Sequence, residues 1–162
     1  MIRTALPTDA AAIVALYNYY VLNTTITFEE QPVSSETMTQ RLHAVQNEAG
    51  LPWLVLEQDG VLAGYACANR WMSRSAYRFA VEATVYLAAG QEGRGLGRTL
   101  YGALFDALRQ HDLHTVLGII ALPNAASVAL HEKMGMQKVA HFREVGYKFG
   151  RWLDVGYWQM LL

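Results

Sequence analysis

A glycine-rich segment, Gln91 to Arg98, offers the clearest chemistry in the sequence. Its residues read Gln-Glu-Gly-Arg-Gly-Leu-Gly-Arg, and they join an apolar stretch to a strongly amphipathic one. Glycines allow backbone N–H groups to converge without hindrance from Cβ atoms, and the N-terminal end of a helix attracts anions. The segment therefore predicts a phosphate-binding turn between a strand and a helix.

Two common phosphate-binding motifs do not fit this segment. A P-loop requires Gly-Lys followed by Ser or Thr, but Gly97 is followed by Arg98. A dinucleotide fingerprint requires a third glycine at position 98 and usually lies in the first strand–helix unit, so it fails in sequence and in position. A structural turn without a ligand remains an alternative.

A single carboxylate interrupts the apolar stretch before the glycines. Glu82 is the only charged residue from Phe79 to Ala88, a segment whose composition is typical of a central strand. Burial raises the pKa of a carboxyl group toward the range of a useful general base. Two interpretations follow: Glu82 is a catalytic base, or it forms a structural ion pair with Arg74 or Arg78.

Other reactive residue types are sparse. His131 could exchange a proton near neutral pH, or it could be a hydrogen-bonded histidine that packs a helix on the sheet. Cys67, the one cysteine, lies in an apolar segment and is expected to be a buried thiol rather than a nucleophile. No group of His, Cys, Asp or Glu has metal-ligand spacing, so no metal is predicted.

Length and charge limit the class of partner. The chain has 162 residues and a formal net charge of −1, with 17% charged residues. We predict one domain over residues 1–162, with a small-molecule partner and no affinity for nucleic acid or membranes. No leader or membrane-spanning pattern is recognisable, so a soluble cytoplasmic protein is expected.

The elements that must position these residues alternate in type. Periodicity and turn signals predict a strand, two helices, three strands, a helix, a strand, a helix and two strands, which is a mixed α/β arrangement. The predicted helices end near Leu22 and Gly50, run from the glycines to about His111, and span Ala125 to about Met134. The predicted strands are Ile2–Ala5, Trp53–Glu57, Val61–Asn69, Phe79–Ala88, Thr115–Leu122, Gln137–Tyr147 and Trp152–Leu162.

The glycine segment resembles a motif of the GNAT superfamily of acetyl-CoA-dependent N-acetyltransferases. That motif is Arg/Gln-x-x-Gly-x-Gly/Ala, and here Glu92 stands where the superfamily prefers Arg or Gln. Asn124 to Met136 resembles the segment in which an Asn-initiated helix lines the CoA arm, with His131 where most members have Tyr. Further segments resemble the phosphinothricin and methionine sulfone/sulfoximine acetyltransferase subfamily: Leu16–Tyr20, Val81–Leu87, Leu122–Asn124, Leu130–Glu132 and Gly146–Gln159.

This resemblance implies a fold and an activity. The fold would be an open, splayed mixed sheet of about seven strands flanked by about four helices, with the thioester in the splay beside the fourth strand. The activity would be acetyl transfer from acetyl-CoA to the α-amino group of a small amino acid. Subfamily members commonly pair as homodimers, and the aromatic C-terminal residues Tyr147, Phe149, Trp152, Tyr157 and Trp158 could bury against a partner subunit.

The resemblance also implies roles for individual residues. Glu82 would be the general base, with His131 assisting it or protonating the CoA thiolate. Acetyl-CoA would contact the backbone of Val85, Tyr86 and Leu87, the turn residues Gly93, Arg94, Gly95, Leu96, Gly97 and Arg98, and the side chains of Asn124 and Lys133, although Lys133 could equally lie on a solvated helix face. The amino acid would contact Arg74, Ser75, Ala76, Tyr77, Glu82, Thr84 and Phe28.

Two other functions stay open at this point. One is a non-catalytic acyl-CoA sensor, against which the carboxylate of Glu82 argues. The other is an enzyme of the same fold that acts on a polyamine or a protein N-terminus. Arg74 and Tyr77 instead favour an amine substrate that bears a carboxylate.

Overall fold

One seven-stranded mixed sheet forms the framework of the protein, and the computed structural model describes residues 1–162. The strand order is β1-β2-β3-β4-β5-β7-β6. These counts confirm the predicted seven strands and four helices. The strands are β1 (Ile2–Thr4), β2 (Trp53–Gln58), β3 (Val61–Arg70), β4 (Ala80–Leu87), β5 (Thr115–Leu122), β6 (Gln137–Lys148) and β7 (Arg151–Leu161), and the helices are α1 (Ala10–Asn23), α2 (Ser35–His43), α3 (Leu96–Leu108) and α4 (Ala125–Lys133).

Local sequence explains where these elements begin and end. Ser34 caps α2 by accepting a hydrogen bond from Thr37 N at 3.1 Å, as its position before the helix predicts. Asp59 and Gly60, both with positive φ, form the reversal between β2 and β3. A π-helical turn, Ala44–Glu48, prolongs α2 to the predicted end of that helix.

The two faces of the sheet are covered by different helices. Gly64 and Leu87 face Leu100 of α3, and their neighbours on the same strands, Tyr65 and Tyr86, contact each other with tilted rings on the opposite face. There the Tyr86 ring meets Tyr17 of α1 at a centroid distance of 5.3 Å. Side chains of successive strand residues alternate between faces, so helices cover β3 and β4 on both sides.

The sheet opens between β4 and β5. These two strands are parallel, and they pair only from Ala80–Glu82 to Thr115–Leu117. Beyond Glu82 they separate, while β4 remains paired with β3 as far as Leu87. This is the splay that the resemblance implies, and it leaves one backbone edge of β4 without a strand partner.

The C-terminal hairpin of β6 and β7 carries exposed aromatic residues. Trp158 lies in the core, but Tyr147, Phe149 and Trp152 are exposed, Trp152 by 61%. Their exposed rings form a surface that we call the β6–β7 patch.

None of the four α-helices has the length and the apolar composition that a membrane-spanning helix requires.

Candidate active site

A cavity of about 560 Å³ lies where β4 and β5 separate. It is lined by both strands, by the start of α4, and by the loop that joins α1 to α2. Its principal polar residues are Glu82, Thr84, Arg41, Asn124, Ser127 and His131, and its apolar lining includes Ile26, Phe28, Val85 and Ile119. A partly apolar cleft with a few convergent polar groups is the usual form of a small-molecule site.

Glu82 contributes the only carboxylate among the residues that line this cavity. Burial raises the pKa of its carboxyl group above the ordinary value. Neither Arg74 nor Arg78 forms an ion pair with it, since the ion pairs of the chain involve other carboxylates. The Arg78 guanidinium instead lies over the ring of Phe79, 4.2 Å from its centroid. Glu82 is therefore not part of a structural ion pair with either arginine.

The open edge of β4 exposes only alternate backbone groups. Ala88 N donates to Ala63 O, and Trp71 N donates to Ala80 O, so the even-numbered residues of β4 bond to β3. The backbone groups of Ala83, Val85 and Leu87 consequently point into the gap. Of the three residues that were expected to contact acetyl-CoA, Val85 and Leu87 present their backbone there, whereas Tyr86 presents only its side chain.

Two tyrosines cap this edge at its ends. Tyr20 of α1 donates its hydroxyl to Leu87 O at 2.7 Å, and Tyr101 of α3 donates to Ala83 O at 3.0 Å. Val85, between them, keeps both its N–H and its C=O free for a ligand that binds like an added strand.

His131 lies on α4, and its side chain is enclosed by α3 and β5. It is 5% exposed, and a Cβ atom at Gly118 would overlap its imidazole ring. Nδ1 lies 2.7 Å from Ser127 O, and Nε2 lies 3.1 Å from the hydroxyl of Tyr101. Burial lowers the pKa of the imidazole and so favours its neutral form. His131 packs on the sheet, as the structural interpretation predicts, and it also lines the cavity, so its catalytic role stays a prediction.

The glycine segment forms the predicted turn into α3. Gly93 and Gly95 have φ values of 75° and 79°, and Gly95 is the residue before the helix. The first helical bond joins Thr99 N to Gly95 O. The preceding N–H groups, those of Leu96, Gly97 and Arg98, thus have no partner within the helix and can bind an anion.

The charged side chains of this turn do different things. Glu92 accepts a hydrogen bond from Gly90 N at 2.8 Å, so its carboxylate stabilises the turn instead of facing the helix end. Arg94 donates to the side-chain oxygen of Gln91. Arg98 is exposed and its side chain forms no hydrogen bond or ion pair within the chain, which leaves its guanidinium free for a phosphate.

Asn124 and Lys133 lie at opposite ends of α4. Asn124 caps the helix by accepting from Ser127 N at 3.1 Å, and its side chain lines the cavity. Lys133 is exposed and unpaired. The first is close to the gap between β4 and β5, while the second faces solvent.

Only some of the residues that were expected to bind the amino acid line the cavity. Phe28 and Thr84 line the cavity. Arg74, Ser75, Ala76 and Tyr77 are exposed in a short helical turn before β4 and are not among the lining residues. The Tyr77 ring packs edge-on against Trp71 at 5.1 Å.

Lys148 is a buried charge that the sequence interpretation missed. It is 1% exposed and donates to Thr27 O at 2.8 Å, and burial lowers the pKa of its ammonium group. It thereby fixes the loop that carries Phe28, whose ring lies against Gly146. The sequence gives little signal for this burial, because β6 also carries Lys138, Arg143 and Glu144 and its charges do not stand out as Glu82 does in β4.

Tyr20, Tyr101 and Arg41 were also missed, because a tyrosine or an arginine in an amphipathic helix gives no signal beyond ordinary packing. Arg41 lines the cavity and is paired with Glu29.

Cys67 is buried as predicted, and burial raises the pKa of its thiol to about 12. No group of three or more His, Cys, Asp or Glu side chains could hold a metal ion.

Comparison with known proteins agrees with this geometry. The chain matches the acetyltransferase (GNAT) domain family over residues 2–156. It is 39% identical to a phosphinothricin N-acetyltransferase of Streptomyces viridochromogenes, over 98% of this chain and 85% of that protein. It is 38% identical to an L-methionine sulfoximine/L-methionine sulfone acetyltransferase of Salmonella typhimurium, over 99% of this chain and 94% of that protein.

The similarity extends to the three-dimensional structure of a known protein. The crystal structure of a phosphinothricin acetyltransferase from Sinorhizobium meliloti in complex with acetyl-CoA superposes with a TM-score of 0.96. The two chains are 32% identical, and the match covers 100% of this chain and 88% of that one. The splayed sheet, the glycine turn and the whole-length similarity lead to one conclusion: the chain belongs to the GNAT family of acetyl-CoA-dependent N-acetyltransferases.

Proposed function

We propose that the protein transfers the acetyl group of acetyl-CoA to the α-amino group of a small amino acid with a tetrahedral, oxygen-bearing side-chain centre. Phosphinothricin, methionine sulfone and methionine sulfoximine are the candidate substrates, in line with the names of the relatives. The observation that carries the proposal is Glu82, a half-buried carboxyl group without an ion-pair partner at the point where the sheet opens.

Glu82 acts as the general base. An α-amino group is mostly protonated at neutral pH and cannot attack a thioester until it loses a proton. Glu82 removes that proton, directly or through a water molecule, and the free amine attacks the thioester carbonyl without an acetyl-enzyme. The tetrahedral intermediate then expels CoA thiolate while its nitrogen loses a second proton. One proton ends on the CoA thiol and the other is released to solvent, so the reaction is balanced.

The open edge of β4 and the glycine turn hold acetyl-CoA. The free N–H and C=O of Val85 suit an amide-containing arm laid along the strand, and an N–H there can stabilise the developing oxyanion by a few kcal/mol. The unpartnered N–H groups at the start of α3 and the Arg98 side chain suit the pyrophosphate. Gly93, Gly95 and Gly97 keep side chains out of its path, with Asn124 beside the arm.

The amino acid enters from the side of the α1–α2 loop. Phe28 and Thr84 contact its side chain, and Arg74 with Tyr77 holds its carboxylate at the outer end of the cleft. Arg74 has no side-chain partner and can form a two-pronged bond to a carboxylate. Burial favours the neutral form of His131, which first accepts a proton and then delivers it to the departing thiolate.

A thiol-release assay over a panel of acceptors tests this function. We expect kcat/KM to be highest for amino acids with a sulfone, sulfoximine or phosphinate group, and low for polyamines and peptide N-termini. Preference for polyamines or peptides would refute the acceptor class. Acetyl-CoA binding in calorimetry without thiol release from any acceptor would identify a sensor instead of an enzyme.

We further propose that two chains associate through the β6–β7 patch. Three large aromatic side chains exposed on one hairpin are unfavourable in water and suit burial against a second copy. Analytical ultracentrifugation tests this. The wild-type chain should sediment as a dimer and Trp152→Glu as a monomer, whereas a monomeric wild-type chain would refute the proposal.

A further inference from the structure

Tyr101 links His131 to the edge of β4. Its ring is fully buried on α3, and its hydroxyl oxygen lies 3.1 Å from His131 Nε2 and 3.0 Å from Ala83 O. On the other side of the imidazole, Nδ1 lies 2.7 Å from Ser127 O. These contacts form one continuous chain from α4 to the strand that faces the reacting groups.

The number of protons in this series of hydrogen bonds decides whether every acceptor in it has a donor. A carbonyl oxygen only accepts, so the proton of a neutral His131 lies on Nδ1 and points to Ser127 O. Nε2 then needs a donor, and Ala83 O needs one too, but Tyr101 has a single hydroxyl proton. With His131 neutral, one of these two acceptors is left without a partner.

A protonated His131 removes this shortage. Nε2–H then donates to the Tyr101 oxygen, and the Tyr101 hydroxyl donates to Ala83 O. Every donor and acceptor of the chain is paired in that state. The network thus favours the imidazolium form, and it opposes the effect of burial, which favours the neutral form.

The ring of His131 cannot turn away from Tyr101. Gly118 of β5 leaves no space for a Cβ atom beneath the imidazole, and Tyr101 packs edge-on against it at a centroid distance of 5.2 Å. Nε2 therefore keeps Tyr101 as its partner in both protonation states.

We infer that Tyr101 is a positioning residue that enables His131 to hold a proton inside the cavity. The catalytic meaning of this inference depends on the proposed function, in which one proton must leave the nitrogen and one must reach the thiolate. A histidine that alternates between neutral and charged forms needs a partner that can both donate and accept, and a hydroxyl group does both.

The other ionisable groups around His131 are few. Glu82 on β4 lines the same cavity, as does Cys67 on β3, and β5 carries no ionisable side chain. On α4 itself, Glu132 accepts from Trp158 Nε1 at 3.4 Å and Lys133 is exposed. On β7, Tyr157 is partly buried. Tyr101 is the side chain that bonds directly to Nε2, so its removal should act directly on the protonation of His131.

Nitrogen NMR of histidine-labelled protein tests the inference without any substrate. The signal of His131 is identified by its loss in His131→Gln. In Tyr101→Phe we expect its titration midpoint to move to lower pH, since the charged form loses a buried hydrogen bond that is stronger than the one lost by the neutral form.

Tyr20→Phe is the matched control. It removes a tyrosine hydroxyl from another carbonyl on the same edge of β4, Leu87 O, without touching His131. The midpoint should stay where it is in wild type. An unchanged midpoint in Tyr101→Phe, or an equal change in both variants, would overturn the inference. If Tyr101→Phe does not fold, 3-fluorotyrosine at position 101 replaces it. The midpoint of His131 should again move to lower pH, because the oxygen of a more acidic phenol is a weaker hydrogen-bond acceptor. An unchanged midpoint in that protein would also overturn the inference.

Kinetics separate this inference from the proposed function. Tyr101→Phe should lower kcat about tenfold, the equivalent of one charged hydrogen bond, with little change in the KM for acetyl-CoA. The low-pH limb of its kcat profile, where the resting His131 becomes charged and can no longer accept a proton, should also move to lower pH. Absence of acetyl transfer in the wild-type protein would refute the proposed function while the NMR result still decides the role of Tyr101.

Discussion

Glu82 stands opposite Leu117 in the last pair of residues that β4 and β5 share. One residue later the strands have separated, so the Glu82 carboxyl group lies at the apex of the gap. At this position the carboxyl group is half-buried, yet it borders the cavity. Its partial burial raises its pKa, and its position places it within reach of any molecule bound in the cavity.

Glu82→Gln should nearly abolish turnover and leave acetyl-CoA binding intact. The amide is the same size as the carboxyl group but cannot take a proton, and general bases commonly contribute 10²–10⁴-fold in rate. Steady-state kinetics and calorimetry measure the two effects. Glu36→Gln, on the exposed first turn of α2, is the control and should behave as wild type. Near-normal turnover in Glu82→Gln would disprove the base assignment.

The raised pKa of Glu82 predicts how stability depends on pH. The folded chain binds this proton more tightly than the unfolded chain, so the burial penalty is absent at low pH and appears as pH rises through the folded pKa. Glu82→Gln should therefore be more stable than wild type at neutral pH, and the gain should vanish in acid, below the pKa of the unfolded carboxyl. Urea unfolding at a series of pH values measures this. A constant difference at every pH would contradict it.

Gly118→Ala should destabilise the protein and reduce its activity together. The new Cβ would overlap the His131 ring, and such overpacking typically costs about 1–3 kcal/mol. Gly102→Ala is the matched control, since its Cβ would meet only Met134 at 3.9 Å within a helix. There we expect a gain of about 0.5–1 kcal/mol. Thermal unfolding ranks the variants, and equal stability of the two would count against the fixed position of His131.

Gly95→Ala should weaken acetyl-CoA binding more than Gly90→Ala. Both glycines have positive φ and open space where a Cβ would lie, so backbone strain is similar in the two variants. Only Gly95 precedes the free N–H groups of α3. Calorimetric titration with acetyl-CoA compares them directly. The same loss of affinity in both variants would mean that strain alone is responsible, and that the helix start does not bind the pyrophosphate.

Lys148→Met should separate stability from substrate affinity. Burying an ammonium group costs several kcal/mol, while its single hydrogen bond to Thr27 O returns about 1.5–3 kcal/mol, so an apolar side chain of similar length should be neutral or stabilising. The loop with Phe28 loses its attachment, and the KM for the amino acid should rise while that for acetyl-CoA stays constant. Unfolding and two-substrate kinetics test both parts. An unchanged KM for the amino acid would show that Lys148 does not position this loop.

Much of the fold could be predicted from sequence because local signals agreed with one another. The leucines of α3 at four-residue spacing mark its buried face, and Leu100, Leu104 and Leu108 are fully buried. The Asp-Gly turn and the glycine segment fall where the chain reverses and where α3 begins. The candidate site was predicted less completely, since exposure of Arg74 and burial of Lys148 depend on contacts between distant segments.

The sequence by itself determined the elements of this protein, the glycine turn, and the isolated carboxylate at position 82, because periodicity, backbone freedom and the cost of a buried charge are local properties. The tertiary structure alone decided which groups Glu82 and His131 meet. The folded chain brings no lysine or arginine into an ion pair with Glu82, and the packing of α3 against α4 brings Tyr101 to His131 across 30 residues of chain. Such contacts follow from how helices pack on a sheet, which no short stretch of sequence specifies.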